Sequence, residues 1–313
     1  MQEQKLRIAL LAGGTSGERE VSLSGAAGVE KALLEKNFEV VRFDPATDLG
    51  RLYDEKDNID FAFILLHGQN GEDGTVQGYL ELLNIPYQGA GVLGSAIAMD
   101  KDLAKNLYMQ ADLPVARWEV VTPRKVPSGK QLAEQLGLPL VVKPVHEGSS
   151  LGLTIARTED ELVAGIETAL THGRTVMVEQ YIEGRELTVG VIGNDEPDAL
   201  PLIEIVPGKE FEFFDYNAKY LPGASEEICP APVSEEVSRK AQEYAIEAHK
   251  VLRLKGYSRT DMLMDGQENL YLLETNTIPG MTETSLLPQA AAAYGLDFPS
   301  LLARLIELGL EKG

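Results

Sequence analysis

The chain has 313 residues, of which 44% are hydrophobic and 25% are charged, and its formal net charge at pH 7 is −21. This length exceeds one average core and predicts two or three domains, while the composition is ordinary for a globular enzyme. Such strong acidity disfavours nucleic acid and anionic membrane surfaces, so neither is expected as a partner.

The chain's only cysteine, Cys229, excludes an internal disulfide bond and suits a reducing compartment. No apolar run is as long as a membrane span, and the segment MQEQKLRIALLAGG enters a strand without the pattern of a signal peptide. We therefore expect a cytoplasmic protein.

The first hundred residues alternate strand and helix patterns. Strands are predicted at LRIALLA, FEVVRFD and FAFILLH, and helices at SLSGAAGVEKALLEK and TVQGYLELLN. This alternation predicts a parallel sheet covered by helices. The turn AGGTSGERE lacks the G-x-G-x-x-G spacing of a dinucleotide loop, and no G-x-x-x-x-G-K-[ST] occurs in the chain.

The rest of the chain divides into two further parts. Helices in SGKQLAEQLG and EDELVAGIETAL, with strands PLVVKPV, GLTIAR and TVMVEQYI, predict a small α+β unit. Strands ELTVGVIG and PLIEIVP then lead into a long polar stretch, residues 208–231, which is typical of a mobile binding loop. A helix in SEEVSRKAQEYAIEAHKVLRL, two strands and two helical segments follow. The predicted domains are 1–100, 101–185 and 186–313.

Lys143 stands at the end of an apolar strand in VVKPVHEGSSLGL. A buried ammonium needs a carboxylate partner or an anionic ligand, and backbone N–H groups of the following Gly/Ser loop could also approach an anion. Phosphate is the natural ligand for such a place. The alternative is a lysine that reaches solvent from a strand end beside an ordinary turn.

The segment YSRTDMLMDGQENLYLLETN predicts a hairpin with its turn at 266–269. Side chains alternate along strands, so Arg259 and Asp261 share a face, as do Glu274 and Asn276. We expect Asp261 opposite Glu274 and Arg259 opposite Asn276, with Met262, Met264, Leu270 and Leu273 on or near the other face. Such oxygen ligands suit Mg²⁺ shared with a nucleotide; a solvated polar face with an Arg–Asp surface pair is the alternative.

Seven stretches in this order resemble the D-alanine–D-alanine ligases of the ATP-grasp superfamily, and together they cover nearly the whole chain. They are GGTSGEREVSLSG, LLHGQNGEDGTVQGYLELLNIPYQGAGVLGSAIAMDK, VVKPVHEGSSLG, VEQYIEGRELTVGV, FFDYNAKYL, SRTDMLM and YLLETNTIPGMTETSLLP. The resemblance implies an N-terminal Rossmann-like α/β domain, followed by a two-lobed α+β ATP-grasp fold that grips ATP between a central lid domain and a C-terminal catalytic domain.

The resemblance also implies roles at the nucleotide. The residues it assigns to ATP are Lys101, Lys143, Ser150, Glu179, Glu186 and Lys219. Of these the lysines bind phosphates, Glu179 lies at the adenine and Glu186 at the ribose. Two Mg²⁺ ions, or Mn²⁺, are expected on Asp261, Glu274 and Asn276.

The amino-acid substrates are expected beside the nucleotide. Glu18 pairs with the amino group of the first D-alanine in a network with Ser149 and Tyr220, and His67 borders that site. Arg259 and the Gly280 amide form an oxyanion hole. Ser285 and the Leu286 amide receive the carboxylate of the second D-alanine, and Tyr220 favours an amine acceptor over D-lactate.

The implied activity is ATP-dependent ligation of two D-alanines through D-alanyl phosphate, supplying peptidoglycan synthesis, by an expected homodimer. Another ATP-grasp carboxylate–amine ligase is the nearest alternative. A regulatory nucleotide-binding module would be expected to lack Arg259 or a metal ligand, and a nicotinamide dehydrogenase needs the glycine spacing that is absent.

Overall fold

A computed structural model of the chain describes residues 5–124, 126–148, 151–208 and 224–311. The predictions made for Ser149, Ser150, Lys219 and Tyr220 lie outside these described residues.

The N-terminal sheet is parallel, as predicted, with the strand order β2-β1-β3. The middle strand and β3 are almost entirely buried because their residues are apolar on both faces, which is typical of a parallel sheet covered by helices. The elements are β1 (Arg7–Ala12), α1 (Arg19–Glu35), β2 (Glu39–Phe43), α2 (Leu49–Glu55), β3 (Phe61–Leu65) and α3 (Thr75–Leu83), with a 3₁₀ turn at Lys56–Asn58. Helix α2 was not predicted.

Two short helices, α4 (Val92–Met99) and α5 (Lys101–Gln110), connect this sheet to the next one. The side chain of Asp100 caps α5 by accepting a hydrogen bond of 3.0 Å from the Leu103 amide. This cap fixes the first turn of α5, in which Lys101 is the first helical residue.

The second sheet is antiparallel, with the strand order β4-β7-β5-β6. Two helices cover it, and Ser128 and Thr158 cap their N-termini through side-chain oxygens. The elements are β4 (Trp118–Val121), α6 (Gly129–Leu136), β5 (Leu140–Pro144), β6 (Thr154–Ala156), α7 (Glu159–His172) and β7 (Val176–Gln180).

The third sheet has the strand order β11-β10-β8-β12-β13, with β9 paired to β8. Its elements are β8 (Gly184–Ile192), β9 (Asp198–Ala199), β10 (Ile203–Pro207), β11 (Ser225–Ile228), α8 (Glu235–Val251), β12 (Tyr257–Asp265) and β13 (Leu270–Asn276). Strand β11 pairs antiparallel with β10. Of the binding loop predicted over residues 208–231, the part at 209–223 lies outside the described residues, and the prediction was wrong for residues 225–228, which form a strand.

Two C-terminal helices, α9 (Leu286–Tyr294) and α10 (Phe298–Leu310), return to the N-terminal sheet. Leu301, Leu305 and Ile306 of α10 belong to the same buried core as Leu10 and Phe63. The C-terminal end of the described chain thus completes the core of its first sheet. None of the helices within the described ranges is long and apolar enough to cross a membrane. The division at residues 100 and 185 stays a prediction.

Candidate active site

A cleft of about 380 Å³ lies between the second and third sheets. One wall comes from β5, β6 and β7, and the other from β8, β10, β12 and β13. Six residues predicted for ATP or metal line this cleft: Lys101, Lys143, Glu179, Glu186, Asp261 and Glu274. Apolar side chains including Val141, Ile155, Ile182 and Leu263 also line it, so the cleft combines apolar surface with charged groups.

Lys143 has a carboxylate partner and also lines the cleft. Its Nζ lies 2.5 Å from Oε1 of Glu179, whose side chain is only 3% exposed. Burial by itself would lower the pKa of Lys143, but the attraction of Glu179 and Glu274 outweighs burial and raises that pKa. The strand therefore ends in a buried, charged lysine rather than in one that reaches solvent.

Lys101 bridges the two walls of the cleft. Its Nζ lies 3.1 Å from Oε2 of Glu274 on β13 and donates a hydrogen bond of 2.8 Å to the Glu147 carbonyl, next to the Gly/Ser loop. A single ammonium thus links the first turn of α5, the loop after β5 and the metal-candidate carboxylate of the third sheet.

The β12–β13 hairpin has the predicted register, with Arg259 opposite Asn276 and Asp261 opposite Glu274. Asp261 accepts hydrogen bonds from Nε and Nη2 of Arg259 at 2.8 and 2.7 Å, from Thr188 at 2.6 Å and from Asn276 at 3.0 Å. The side chains of Arg259 and Asp261 are 12% and 6% exposed. The alternative of a solvated polar face was therefore wrong.

A β-bulge after Asp261 shifts the pairing register of β12 and β13 between the Asp261–Glu274 pair and the turn of the hairpin. Met262 lies opposite Leu272, so that Leu273 is an extra residue without an opposite partner. The bulge turns Leu270 and Leu272 into the core that contains Met262 and Met264, whereas Leu273 lines the cleft. The expectation that Leu273 lies on the far face with Met262 was wrong for this reason.

A second cavity, of about 460 Å³, lies between the N-terminal sheet and the third sheet. It receives six residues predicted for the amino-acid substrates: Glu18, His67, Arg259, Gly280, Ser285 and Leu286. Asn276 also lines this second cavity, whereas Asp261 and Glu274, which lie opposite each other on the hairpin, line the cleft. The two cavities therefore meet at the β12–β13 hairpin.

Glu18 is buried at the start of α1 and lies against two glycines. A methyl group at Gly68 or Gly148 would approach Glu18 Oε2 to 3.0 Å, and Gly68 has a φ of +66°. These glycines let two backbone segments approach the Glu18 carboxylate. An ammonium bound here would meet a negative charge in a largely buried setting.

Two titratable residues pack beside Glu18. His67 Nδ1 donates a hydrogen bond of 3.1 Å to the Ile278 carbonyl, and burial lowers the pKa of its imidazole. Glu72 accepts hydrogen bonds from the amides of Gly68 at 2.7 Å and Ile278 at 3.2 Å. Burial and the nearby Glu18 raise the pKa of Glu72 to about 8.

The N-terminus of α9 also lines the second cavity, through Ser285 and Leu286. Ser285 is the residue before its first turn, and its Oγ accepts a hydrogen bond of 3.1 Å from the Thr282 amide and lies 2.8 Å from Thr282 Oγ1. The amides of a first helical turn have no partner within the helix and carry its positive dipole end. This part of the cavity therefore suits a carboxylate, and a Cβ at Gly280 would lie 3.0 Å from Ser285 Oγ.

The hairpin offers oxygen ligands that fit Mg²⁺. Asp261 and Glu274 contribute carboxylates, and the Nδ2 of Asn276 is used on Asp261, which leaves its Oδ1 as the atom suited to a cation. Within the described residues no group of three His, Cys, Asp or Glu side chains could hold a metal. Two carboxylates and an amide match a cation that completes its shell with water and phosphate oxygens.

Two residues of this region were not predicted from sequence. Glu72 belongs to the quoted stretch LLHGQNGEDG, but without a fold it was equivalent to its acidic neighbour Asp73. Lys105 follows Lys101 by four residues, a spacing that places both on one face of α5. That spacing was the available signal.

Two sheets that face each other across a cleft, with Lys143 and Glu179 on one wall and Glu186, Asp261 and Glu274 on the other, define an ATP-grasp ligase. The family model described as "D-ala D-ala ligase C-terminus" matches residues 107–307, and the family model described as "D-ala D-ala ligase N-terminus" matches residues 44–90. The chain belongs to the D-alanine–D-alanine ligase family, whose members are ATP-dependent ligases of cell-wall synthesis.

Individual relatives agree with this membership. The D-alanine–D-alanine ligase of Desulfotalea psychrophila is 62% identical over 100% of this chain and 98% of its own length, and that of Syntrophobacter fumaroxidans is 57% identical over 99% and 100%. A solved Bacillus anthracis D-alanine–D-alanine ligase, complexed with ATP, is 33% identical, with a TM-score of 0.85 and coverage of 97% of both chains.

Proposed function

We propose that the chain joins two D-alanine molecules into D-alanyl-D-alanine through a D-alanyl phosphate intermediate. In this proposal the cleft between the second and third sheets binds ATP, and the second cavity binds both amino acids. The observation that carries it is the meeting of the two cavities at one hairpin. On this hairpin Asp261 and Glu274 line the cleft, whereas Arg259 and Asn276 line the second cavity. A phosphoryl group therefore has a short path from the nucleotide to the amino acids.

The chemistry has two displacement steps. A carboxylate oxygen of the first D-alanine attacks the γ-phosphorus of ATP, and ADP leaves with the bridging oxygen. The amine of the second D-alanine then attacks the acyl carbon, inorganic phosphate leaves with the former carboxylate oxygen, and the amine loses a proton. ATP is needed because a carboxylate otherwise has to expel oxide.

The nucleotide is assigned to six residues. Lys101 and Lys143 neutralise phosphate charge from the cleft wall, Glu179 lies near the adenine end, and Glu186 on β8 accepts hydrogen bonds from the ribose hydroxyls. Ser150 and Lys219 are assigned to the phosphates by family resemblance alone.

Mg²⁺, or Mn²⁺ in its place, is assigned to Asp261, Glu274 and Asn276. When bound, two such ions neutralise charge on the transferring phosphoryl group. The oxygen donors of the hairpin support this assignment. Lys101 beside Glu274 and Arg259 beside Asp261 compensate the same carboxylates from the protein side.

The amino acids are assigned to separate parts of the second cavity. Glu18 binds the ammonium of the first D-alanine, with His67, Ser149 and Tyr220 beside it. Arg259 and the Gly280 amide stabilise the oxyanion that forms during amine attack; one such donor is typically worth about 3 to 4 kcal/mol.

The acceptor is assigned to the N-terminal end of α9. Ser285 and the Leu286 amide bind the carboxylate of the second D-alanine, where the helix dipole favours a negative charge. This leaves the acceptor's amine on the side of Arg259.

The proposal is tested by ADP release from the purified chain with D-alanine, L-alanine or D-lactate, together with mass detection of the product. ADP release and D-alanyl-D-alanine are expected with D-alanine. When D-lactate is added together with D-alanine, the ester D-alanyl-D-lactate is expected only as a minor product. Turnover with L-alanine but not with D-alanine would favour another carboxylate–amine ligase and overturn the substrate assignment.

Three further statements remain proposals from the sequence. They are a cytoplasmic location, a homodimeric assembly and the lack of nucleic-acid partners. The net charge of −21 supports the last of them.

A further inference from the structure

One buried carboxylate at the back of the cleft is shared by two lysines. Glu179 is 3% exposed, its Oε1 lies 2.5 Å from Lys143 Nζ, and its Oε2 contacts Lys105 Nζ. The side chain of Lys105 is fully buried on α5. Strand β7 thus presents a single acid between a cation from β5 and a cation from α5.

The two lysines differ in their access to the cleft. Lys143 and Glu179 line it, whereas Lys105 lies behind them, outside the described residues that form the wall. The ammonium of Lys105 lies 5.3 Å from the centroid of the Trp118 ring, and Trp118 Nε1 donates a hydrogen bond of 2.7 Å to Asp102. Lys105 is therefore enclosed by protein and cannot bind a ligand in the cleft directly.

Lys105, Glu179 and Lys143 form a charge triad that has one positive charge in excess. Burial alone would raise the pKa of the Glu179 carboxyl, but the ammoniums of Lys105 and Lys143 together hold that pKa well below its usual range. Burial lowers the pKa of Lys105, and the Glu179 carboxylate in contact with it opposes that shift. With all three groups ionised, two cations and one anion give a net charge of +1. With one lysine alone the pair would be neutral, and Lys143 would be committed to Glu179.

We propose that Lys105 is a positioning residue, the resident counterion of Glu179, which leaves the charge of Lys143 available to the phosphates of the nucleotide. This inference rests on the proposed assignment of the cleft to ATP. It gives Lys105 a role without contact to any substrate. Charge-assisted hydrogen bonds to phosphate are the interactions it strengthens, so it acts on the phosphates and not on the adenosine part.

Three versions of the full chain test the net charge of the triad. The wild type has +1, Lys105→Met has 0, and Lys105→Met/Glu179→Gln has +1 again. The preference for ADP over adenosine should follow this charge, because adenosine lacks phosphates. Calorimetric titration of each protein with ADP and with adenosine measures that preference.

The wild type should bind ADP much more tightly than adenosine. In Lys105→Met this preference should fall by about 10- to 100-fold. The double variant should recover the wild-type preference to within about threefold, because a neutral amide at position 179 needs no counterion. A purely structural Lys105 would weaken both ligands together and would gain nothing from the second substitution.

Two outcomes overturn the inference: an unchanged ADP preference in Lys105→Met, or a preference in the double variant as low as that of Lys105→Met. If Lys105→Met does not fold, Lys105→Gln takes its place, because its amide can still donate a hydrogen bond to Glu179 without carrying a charge, and the same two outcomes then overturn the inference. A wild type that does not prefer ADP would instead contradict the assignment of the cleft to a nucleotide, whatever the variants do.

Discussion

Asp261 shows how one side chain can serve both cavities. It faces the cleft, yet its oxygens accept hydrogen bonds from Arg259 and Asn276, which line the second cavity. A change at Asp261 therefore reaches the nucleotide through the proposed metal and the amino acids through Arg259.

Substitution of Asp261 by Asn should lower kcat by about 10²-fold or more, because it removes a proposed metal ligand and the charge that orients Arg259. The Asn retains an acceptor for Thr188, so cooperative urea unfolding should persist. Steady-state ADP release at saturating Mg²⁺ measures the change. Glu243→Gln, in an exposed pair with Arg239, is the control; full activity of Asp261→Asn would remove the metal assignment.

Glu18 is the proposed partner of the substrate ammonium, so Glu18→Gln should raise KM for the first D-alanine. Hydrogen bonds to charged groups are worth about 1.5 to 3 kcal/mol, which corresponds to about 10- to 150-fold in KM, while KM for ATP should stay within about twofold. Glu20→Gln is a matched control, because Glu20 lines the same cavity but is exposed. Equal effects of the two substitutions would argue against a specific role for Glu18.

At the scale of elements, α8 packs on the third sheet through a buried histidine. His249 is fully buried, and its Nδ1 lies 2.8 Å from Ser258 Oγ on β12. Burial lowers the pKa of His249 from 6.5 to about 4. The neutral imidazole is favoured in the folded protein, and protonation of the unfolded chain begins below pH 6.5.

The stabilising contribution of the neutral His249 imidazole to the free energy of unfolding is thus complete above pH 6.5 and is lost as the pH falls toward 4. Between pH 7 and pH 5 the free energy of unfolding should drop by about 2 kcal/mol more in the wild type than in His249→Asn. Urea unfolding at both pH values measures this. An identical pH dependence in the two proteins would show that His249 is not buried in its neutral form.

The β12–β13 hairpin separates what the sequence predicts from what it cannot. Alternation and the turn around Gly266 are local, so they predict the facing of Asp261 and Glu274 correctly. The bulge that brings Leu273 to the cleft is absent from the pattern, because it depends on how β13 packs against its neighbours. In the same way, the spacing of Lys101 and Lys105 is visible in the sequence, but their separate roles depend on which acid each one reaches, Glu274 for Lys101 and Glu179 for Lys105.

Strand β11 illustrates a further limit of local patterns. Its sequence, SEEI, carries two acidic residues and no strong strand signal. It forms because β10 presents an edge with which its backbone can pair. Tertiary context of this kind decides short edge strands.

At the scale of the whole molecule, the chain closes on itself. Helix α10 packs against α1 and against the N-terminal sheet, so residues near the C-terminus of the described chain complete the core around Leu10 and Phe63. The wall of the second cavity formed by Glu18 and His67 is therefore held in part by helix α10.

Gly309 tests this closure. A Cβ at this position would lie 2.5 Å from the Tyr87 carbonyl and 2.7 Å from the Phe61 ring. Because the first of these atoms is backbone, Gly309→Ala should lower the free energy of unfolding by about 1 to 3 kcal/mol. Gly50→Ala, where nothing lies within 4 Å, should be neutral or slightly stabilising. Equal urea midpoints for the two variants would contradict this packing of α10.

The central claim is that the cleft and the second cavity act as one site, in which a D-alanine carboxylate takes the γ-phosphoryl group of ATP. The most direct test uses D-alanine labelled with ¹⁸O in both carboxylate oxygens and mass analysis of the phosphate released in a limited reaction. One ¹⁸O atom per phosphate is predicted, with the donor's other ¹⁸O atom in the peptide carbonyl and both ¹⁸O atoms of the acceptor in the C-terminal carboxylate of the product. Phosphate without ¹⁸O, released together with the dipeptide, would contradict the claim.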